Sequence, residues 1–489
     1  MRKGLMIGLV FLILGTIFGC VDNQIEQRFQ QFISNMDDTI TETKGLPTSF
    51  EDIDIVYYFE DEVIDQIEYT YATKDVILTI EAVLQTPNEI RFQKQFIVSK
   101  SEFMHNLYVT TNDHQEIVSK DEYIRGQVTL ASDGPFEKED LEMRIRGRGN
   151  STWDYPKKPY RIKFDERQSL LGMAAAKDYV LLAEYNDKSL MRNYLAHYFS
   201  QFLKFDRYLE TRYVSLFIND EYQGVYLLTE QVQVDSARLN IDESDLSHGG
   251  FLIELESDDR IGQEGIMDID WIRVDGSNFV IKSPDMEDYS EAVVESKITY
   301  MKDYLNGFLE SIENDSYENF IDVDSFIDFF VLTELFKQVD VGYSSVYAHK
   351  DVDGKLKMGP IWDFDISSGN GDYYDYGPSG YWVDYNPWFN KLIDQPSFEA
   401  RYISRFNEVL ELYFNDLLDE IDHVSSLLLP FAETNFAKWD ILDHYIWPNP
   451  PEMVAARTHP QQVNYLKNYL IDRAAWLENE LSSKGYYKD

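Results

Sequence analysis

The sequence predicts an α+β protein in which a small β module precedes a larger mixed domain with a helical C-terminal part. Three observations support this class. Between residues 53 and 98, apolar and polar positions alternate with a period of two, which is typical of strands. From residue 106, strand-like and helix-like patterns are interleaved, and from Trp388 onward the pattern is mostly helical.

Composition limits the classes of function. The 489 residues are 44% hydrophobic and 15% aromatic, which is enough for a sizeable core and excludes global disorder. The chain carries 44 Lys and Arg against 87 Asp and Glu, a formal net charge of −43. Such a charge repels phosphate backbones, so we expect no nucleic-acid partner and favour cationic partners.

The first residues predict export rather than a folded element. Arg2 and Lys3 precede an apolar run, Leu5–Phe18, which is shorter than the ~20 residues of a spanning helix. Cys20 is the only cysteine and stands at the expected cleavage position. We therefore predict a lipoprotein signal peptide over residues 1–19, with acylation of Cys20 anchoring the protein to the outer face of the bacterial cell membrane. A simple signal peptide or a tethering helix is the alternative.

The next two segments are predicted to be a tether and a β module. Residues 20–49 are polar and predict a tether, with a short amphipathic helix near Ile25–Ile33. Residues 50–105 contain the strand patterns IDIVYYF, VILTIEAVL and FQKQFIV. They predict a small β module or an edge extension of the following domain.

Residues 106–489 are predicted to form the main domain. Strand patterns occur in LYVTT, QVTLAS, EMRIRGRG, YRIKF and GGFLIELE, and helix patterns in LLGMAAAKD and DKSLMRNYLAHYFSQFL. Asn219-Asp220 and Asp353-Gly354 each separate two apolar runs, which predicts two hairpins. The helical part covers about residues 388–489.

Familiar catalytic motifs are absent from the sequence. It has no HExxH pair, no cysteine cluster, no GxSxG elbow and no GxxxxGK[ST] loop. Any chemistry must therefore depend on carboxylates, Lys and Arg side chains and backbone groups.

A glycine-rich segment, RIRGRGNSTW, follows a strand pattern. Its two glycines permit close backbone approach to an anion, and Arg146 and Arg148 offer bidentate donors, with Asn150 and Ser151 next to them. The segment predicts either a phosphate-binding loop or a plain β-turn. On the following strand, Lys163 shares a face with Arg161, which indicates a solvated face or a lysine directed at phosphate oxygens.

The strongest feature is a pair of carboxylates. Asp340 follows a helix pattern, and Asp363, in the triplet Asp363-Phe-Asp365, follows the second predicted hairpin. The hairpin can return Asp363 close to Asp340, where the pair suits Mg²⁺ with substrate phosphate, or one carboxylate can orient a hydroxyl nucleophile. The order of glycine loop, strand lysine, Asp340 and Asp363 is the order of parts in a protein kinase.

These segments together resemble the spore coat protein H (CotH) kinase family, a divergent branch of the protein-kinase-like fold. The resemblance runs from about Leu107 to about Leu481. It rests on RGRGNSTW, KKPYRIKF, LLAEYNDKSLMRNYLA, YQGVYLLTEQV, GGFLIELE, the Asp340 loop and GPIWDFD.

The resemblance implies an ATP-dependent kinase that phosphorylates Ser or Thr of proteins with Mg²⁺ or Mn²⁺. It assigns the catalytic role to Asp340, phosphate pairing to Lys163 and metal binding to Asp363. It also implies further nucleotide contacts, by Arg146, Arg148, Asn150, Ser151, Arg192, and the hinge residues Glu230 and Val232. From the charge, we expect Lys- and Arg-rich surface or coat proteins as substrates.

The sequence departs from the kinase pattern in places. Ser345 occupies the position where a kinase has its second metal-binding Asn, and Asp365 replaces a glycine, as a second metal ligand or a turn cap. No glutamate is an evident partner for Lys163. Two alternatives therefore remain: a non-catalytic kinase-like scaffold or adhesin, and a metal-dependent glycosyltransferase using the DxD triplet.

Overall fold

The computed structural model describes residues 24–132, 135–245, 248–264 and 266–484. The predicted signal peptide and Cys20 lie outside these residues. Within these ranges, no helix is both long and apolar enough to cross a membrane. The chain forms two compact units, Met1–Phe103 with Ser132–Glu137, and Met104–Ala131 with Lys138–Asp489.

The first unit is built mainly of β-strands. It contains a helix over residues 24–34 (α1). Its strands are β1 (Thr39–Ile40), β2 (Lys44–Gly45), β3 (Ser49–Phe50), β4 (Ile53–Phe59), β5 (Glu62–Ile64), β6 (Gln66–Ile67), β7 (Val76–Leu84) and β8 (Ile90–Val98). Six of them form a sheet in the order β1-β8-β7-β4-β3, with β5 on β4, while β2 pairs with β6.

The segment predicted as a tether contributes to the core of this unit. Phe29, Ile33, Ile40 and Leu46 are buried in one cluster with side chains from β4, β7 and β8. Residues 24–49 therefore pack as part of the first unit, because their apolar side chains belong to its core cluster or pack against it. The polar composition that suggested a tether belongs to the exposed positions between them.

The second unit begins with a closed barrel of seven strands. These are β9 (His105–Thr111), β10 (Ile124–Ala131), β11 (Lys138–Gly147), β12 (Tyr160–Gln168), β13 (Ala176–Leu182), β14 (Thr211–Ile218) and β15 (Glu221–Glu230). Their order is β10-β11-β12-β13-β15-β14-β9, and the barrel closes through parallel pairing of β14 with β9. The predicted β14–β15 hairpin is confirmed, with Asn219 and Asp220 at φ 49° and 67°.

The helix predicted for LLGMAAAKD is wrong. Leu171 and Gly172 have left-handed φ angles of 50° and 74°, which interrupt any helix, and Ala176 begins β13. The strand completes the barrel between β12 and β15, so tertiary pairing overrides the helix propensity of the alanines.

A second sheet follows the barrel. Its strands are β16 (Phe251–Glu256), β17 (Trp271–Val274), β18 (Ser277–Ser283), β19 (Val346–Lys350) and β20 (Lys357–Met358), in the order β17-β18-β16-β19-β20. β19 and β20 pair as antiparallel neighbours across Asp353-Gly354, which confirms the second predicted hairpin.

Helices make up most of the remaining chain. They are α2 (Arg192–Ser200), α3 (Asp258–Glu264), α4 (Glu291–Glu313), α5 (Val323–Phe336), α6 (Phe389–Leu392), α7 (Pro396–Lys438), α8 (Pro451–Ala455) and α9 (His459–Lys484). The predicted α+β class and the helical C-terminal part are thus confirmed. The almost wholly buried α5 is the central helix, capped by Asp322, whose side chain accepts from the Ser325 amide at 2.9 Å.

Candidate active site

A cleft of about 420 Å³ lies entirely within the second unit. Its walls come from the loop after β11, the segment between β13 and α2, strand β16, and the chain after β20. Most of the predicted site residues line it, namely Arg146, Arg148, Asn150, Ser151, Asp340, Ser345, Asp363 and Asp365.

The glycine loop is tightly folded. At the end of β11, a Cβ on Gly147 would lie 2.2 Å from the Trp153 ring, and Gly149 has φ of 86°. Both positions therefore require glycine. The turn directs Arg148 into the cleft, where its guanidinium lies 5.3 Å from the centre of the Trp362 ring.

Two distant segments bring Asp340 and Asp363 to the same cleft. After α5 ends, Asp340 lies in a 3₁₀ turn, Val339–Gly342, and the β19–β20 hairpin returns the chain to Asp363. Asp363 has a left-handed φ of 65°, and its carboxylate accepts a hydrogen bond from Ser345 Oγ at 3.2 Å. Ser345 is itself left-handed, so both sides of this contact have backbone conformations of the strained kind that cluster at functional sites.

The carboxylates of the cleft repel one another. Burial, and then the charge of Asp363, raises the pKa of Asp340 to about 7, with Arg260 opposing the change. Burial and the Asp363 charge also hold the pKa of Asp365 well above its usual range. The pKa of Glu184, a further lining residue, is raised to about 8, first by burial and then by the charge of Asp187. Burial and mutual repulsion therefore favour the protonated forms of these three carboxylates.

Helix α2 and the segment before it hold these carboxylates in place. Asn193 donates to Glu184 Oε1 at 3.0 Å and accepts from the Phe364 amide at 2.7 Å. Asn186 Nδ2 donates to Asp365 Oδ2 at 2.7 Å. The two asparagines fix the position of the Asp363–Asp365 triplet relative to α2.

The donor set suits a hard divalent cation. Asp363 and Asp365 provide oxygen ligands on one short segment, and a cation between them would relieve the repulsion that raises the pKa of Asp365. Among the described residues, the three ligand groups whose atoms all lie within 4.8 Å of one another are the exposed Asp440, Asp443 and His444. The described cleft residues thus form no such group of three, and Mg²⁺ needs none, since it combines one or two carboxylates with phosphate and water oxygens.

Lys163 does not line the cleft. It lies on β12 two residues beyond Arg161, roughly 7 Å farther along the strand. Arg161 does line the cleft, and its guanidinium pairs with Asp178 at 2.8 Å. We predicted that Lys163 would lie near the glycine loop. Arg161, two residues earlier on the same face of β12, lies there instead.

Arg192 is also outside the lining of the cleft. It is fully buried, forms an ion pair with Asp187, and donates to the Ser367 carbonyl at 2.9 Å and the Ser368 carbonyl at 3.2 Å. These contacts attach α2 to the chain that follows Asp365. The structure thus gives Arg192 the contacts of a positioning residue.

The two predicted hinge residues likewise have side chains directed away from the cleft. Glu230 is fully buried and forms ion pairs with Arg207 and Arg238, each at 2.5 Å. Val232 is buried, while Gln231 between them lines the cleft.

Several lining residues were not predicted from the sequence. They are Lys120, Arg161, Glu184, Asn186, Asn193, Glu254, Arg260, Lys282 and Tyr347. Five of them lie in segments that carry the family resemblance, namely Arg161, Glu184, Asn186, Asn193 and Glu254, whereas Lys120, Arg260, Lys282 and Tyr347 lie outside those segments. A signal for Arg161 was present, because it shares a strand face with Lys163 and lies closer to the glycine loop.

A second cavity, of about 600 Å³, adjoins Asp340. Five aromatic residues line it, namely Trp153, Tyr343, Tyr373, Tyr374 and Trp447. Tyr373 and Trp447 stack at 5.4 Å with an interplanar angle of 12°, and each is about two-fifths exposed, at 42% and 41%.

The fold and the cleft define an α+β protein with an arginine-rich loop facing a set of acidic metal-ligand candidates. The family model described as CotH kinase protein matches residues 145–477, and the chain belongs to this family. This confirms the resemblance found in the sequence, and family membership indicates a kinase-like function.

Similarity to a named protein supports the same family. A 93-residue stretch is 37% identical to the inner spore coat protein H of Bacillus subtilis (strain 168). The match covers 19% of this chain and 24% of that protein, so the chain is aligned with about a quarter of the relative's length.

Proposed function

We propose that this protein is an atypical protein kinase with a divergent kinase-like fold. It transfers the γ-phosphate of ATP to Ser or Thr of protein substrates, with Mg²⁺ or Mn²⁺. One observation supports this above all. Asp340 and Asp363, which are 23 residues apart in the chain, line one cleft with the arginines of the glycine loop.

Asp340 acts on the acceptor hydroxyl. A bond forms between the hydroxyl oxygen and the γ-phosphorus, and the bond from that phosphorus to the β,γ-bridging oxygen breaks, with its electron pair leaving on ADP. The hydroxyl proton passes to the Asp340 carboxylate. A pKa raised to about 7 suits this role, because the group is close to half ionised at neutral pH.

The remaining cleft residues bind and orient the nucleotide. Asp363 and Asp365 would hold the divalent cation, which when bound neutralises phosphate charge. Arg148 and Arg161 supply guanidinium donors beside the phosphates, in the region where Lys163 was expected. Gln231, which lies between the two predicted hinge residues and lines the cleft, would make the hinge contact with the nucleotide.

The protein acts outside the cytoplasm in this proposal. The relative is a spore coat protein by name, which supports an extracellular or coat location. Export by the predicted signal peptide and anchoring through Cys20 would place the cleft at the cell surface. The net charge of −43 favours Lys- and Arg-rich coat or surface proteins as substrates.

A thermal-shift and labelling experiment tests the assignment. The chain from Val21 is incubated with ATP and Mg²⁺, and both the melting temperature and phosphate incorporation into a Ser-containing basic peptide are measured. We expect nucleotide-dependent stabilisation and labelling in the wild type, with labelling lost from Asp363→Ala. The exposed Asp472→Asn on α9 is the matched control and should behave as wild type. Normal labelling by Asp363→Ala would contradict the metal role.

A non-catalytic scaffold is the second candidate. It is favoured by Ser345 at the position of a metal-binding Asn and by the placement of Lys163 outside the cleft. A folded protein that is not stabilised by ATP with Mg²⁺ would support this candidate. The same titration with nucleotide sugars tests the glycosyltransferase alternative.

A further inference from the structure

The cleft and the aromatic cavity meet at a short boundary. Six residues line both, namely Lys120, Asn150, Ser151, Arg260, Asp340 and Ile366. The cleft side carries the glycine loop and the metal-ligand candidates, whereas the other side is walled by aromatic rings. A group that moves from one cavity to the other must pass this boundary.

Two cations and one carboxylate face this boundary. Within the described ranges, neither the Lys120 ammonium nor the Arg260 guanidinium forms an ion pair or hydrogen bond, and the Arg260 backbone amide donates to Ser257 Oγ at 3.3 Å. Arg260 lies close enough to Asp340 to oppose the rise in its pKa. Acidic residues outnumber basic ones about two to one, so two cations that form no ion pair within 4.0 Å at this point are available for an anionic ligand.

Lys120 is held beside the glycine loop by backbone contacts. The Ser119 carbonyl accepts a hydrogen bond from the Gly147 amide at 2.8 Å, at the base of that loop. Ser119 Oγ also accepts from the amides of Asp121 and Glu122, at 3.0 and 3.1 Å. The turn carrying Lys120 is therefore fixed to the phosphate side of the boundary, although it precedes the family-matched residues 145–477.

We propose that Lys120 and Arg260 clamp the phosphoryl group during its transfer, and that the aromatic cavity holds the acceptor polypeptide. This inference rests on the proposed kinase function. As the γ-phosphorus passes from the bridging oxygen of ADP to the acceptor oxygen, its three equatorial oxygens carry negative charge at the boundary. Lys120 and Arg260 neutralise that charge, while Asp340 receives the hydroxyl proton.

The aromatic walls suit an extended segment on the acceptor side. The stacked Tyr373 and Trp447 rings are partly exposed and line the same cavity as the two clamping cations. Such rings bind side chains of an unfolded peptide without demanding one sequence. The acceptor hydroxyl then lies toward Asp340.

A binding comparison tests the clamp without requiring turnover. With Mg²⁺ present, the affinities of the chain from Val21 for ADP and for the non-hydrolysable ATP analogue AMP-PNP are measured by calorimetry. We expect the wild type to prefer AMP-PNP by roughly tenfold, and Lys120→Gln and Arg260→Gln each to weaken AMP-PNP at least fivefold while leaving ADP within twofold. Lys120→Arg should keep the preference, and the exposed Lys355→Gln is the matched control.

Turnover provides the second measurement. We expect kcat of both glutamine variants to fall at least tenfold, with a smaller change in KM for ATP, because the clamp acts mainly in the transition state. A wild type that binds neither nucleotide would overturn the proposed function together with the clamp. Equal wild-type affinity for AMP-PNP and ADP, or an unchanged preference in both variants, would overturn the clamp alone.

Discussion

At the scale of single residues, the cleft carboxylates that the proposed function uses also lower the free energy of unfolding near neutral pH. Asp340, Asp365 and Glu184 are carboxylates whose pKa values are raised by burial and mutual repulsion. Each favours its protonated form in the folded chain, so the folded state binds more protons than the unfolded state. The free energy of unfolding contributed by these groups is fully present below their ordinary pKa values and is lost as pH rises through the raised values.

Replacing Asp340 by Asn should stabilise the protein while abolishing phosphate transfer. At pH 8 the wild-type group is charged against its pKa of about 7, and the amide removes that charge. We expect an increase in Tm of about 2–4 °C at pH 8, corresponding to about 2–3 kcal/mol in a unit of this size after allowance for solvent screening. At pH 5, where Asp340 is protonated in the folded chain but largely ionised in the unfolded chain, the increase should be clearly smaller, because only part of the pH window between 3.8 and about 7 has been crossed.

Calorimetric melting at both pH values checks this result. Asp472→Asn, an exposed change on α9, should leave Tm within a degree at either pH. A variant that melts lower than the wild type at pH 8 would show that Asp340 is instead held by contacts that stabilise its charged form.

The residues of the site were predictable to different degrees. Asp340 and Asp363 were found because a hairpin signal, Asp353-Gly354, lies between them, and local turn chemistry is encoded in sequence. Lys163 was chosen over Arg161 although both share a strand face. Which of two such side chains reaches a cleft depends on where the strand enters the barrel, and the sequence does not encode this locally.

At the scale of elements, α2 anchors the metal-ligand segment. Asn193 connects Glu184 to the Phe364 amide, and Arg192 connects Asp187 to the carbonyls of Ser367 and Ser368. The helix thus binds the chain at both ends of the region around Asp365. A shift of α2 would move Asp363 and Asp365 relative to the glycine loop.

Asn193→Ala should therefore reduce both stability and metal response. The change leaves the buried Phe364 amide and Glu184 without their partner, and each unsatisfied group costs about 1–3 kcal/mol. We expect unfolding at lower denaturant concentration and a smaller rise in Tm on adding Mg²⁺ with ATP. Asn106→Ala, at an exposed position of β9, is the control. An Mg²⁺ response equal to that of the wild type would show that α2 does not position the triplet.

Elements with local signals were predicted well, whereas those that depend on long-range pairing were not. The β14–β15 and β19–β20 hairpins follow from their turn residues. Strand β13 was mistaken for a helix because Ala-rich sequence favours helices, and only its neighbours β12 and β15 make it a strand. The barrel closes by parallel pairing of β9 with β14, which are about 100 residues apart in the chain. Neither strand has a local sequence pattern that predicts this pairing.

At the scale of the whole molecule, two opposite charge patterns coexist. The chain has a net charge of −43, yet six cationic side chains line the cleft, namely Lys120, Arg146, Arg148, Arg161, Arg260 and Lys282. We expect the acidic surface to favour cationic polypeptides, and we expect a nucleotide to enter the cleft together with a divalent cation, because seven carboxylates line the cleft beside these cations. This separation suits an enzyme that brings basic protein substrates and ATP together.

The net charge predicts how salt should affect the two substrates. Phosphate transfer to a Ser-containing peptide rich in Lys and Arg should have a kcat/KM that falls several-fold between about 50 and 300 mM NaCl, because screening over a Debye length of about 10 Å or less removes long-range attraction. A peptide of the same length with Asp and Glu in place of the basic residues should react more slowly at low salt, and the difference should narrow as salt increases. The KM for ATP, which binds inside the cleft, should change less. Initial rates at matched ionic strength measure all three quantities, and equal rates on both peptides at low salt would contradict the role assigned to the acidic surface.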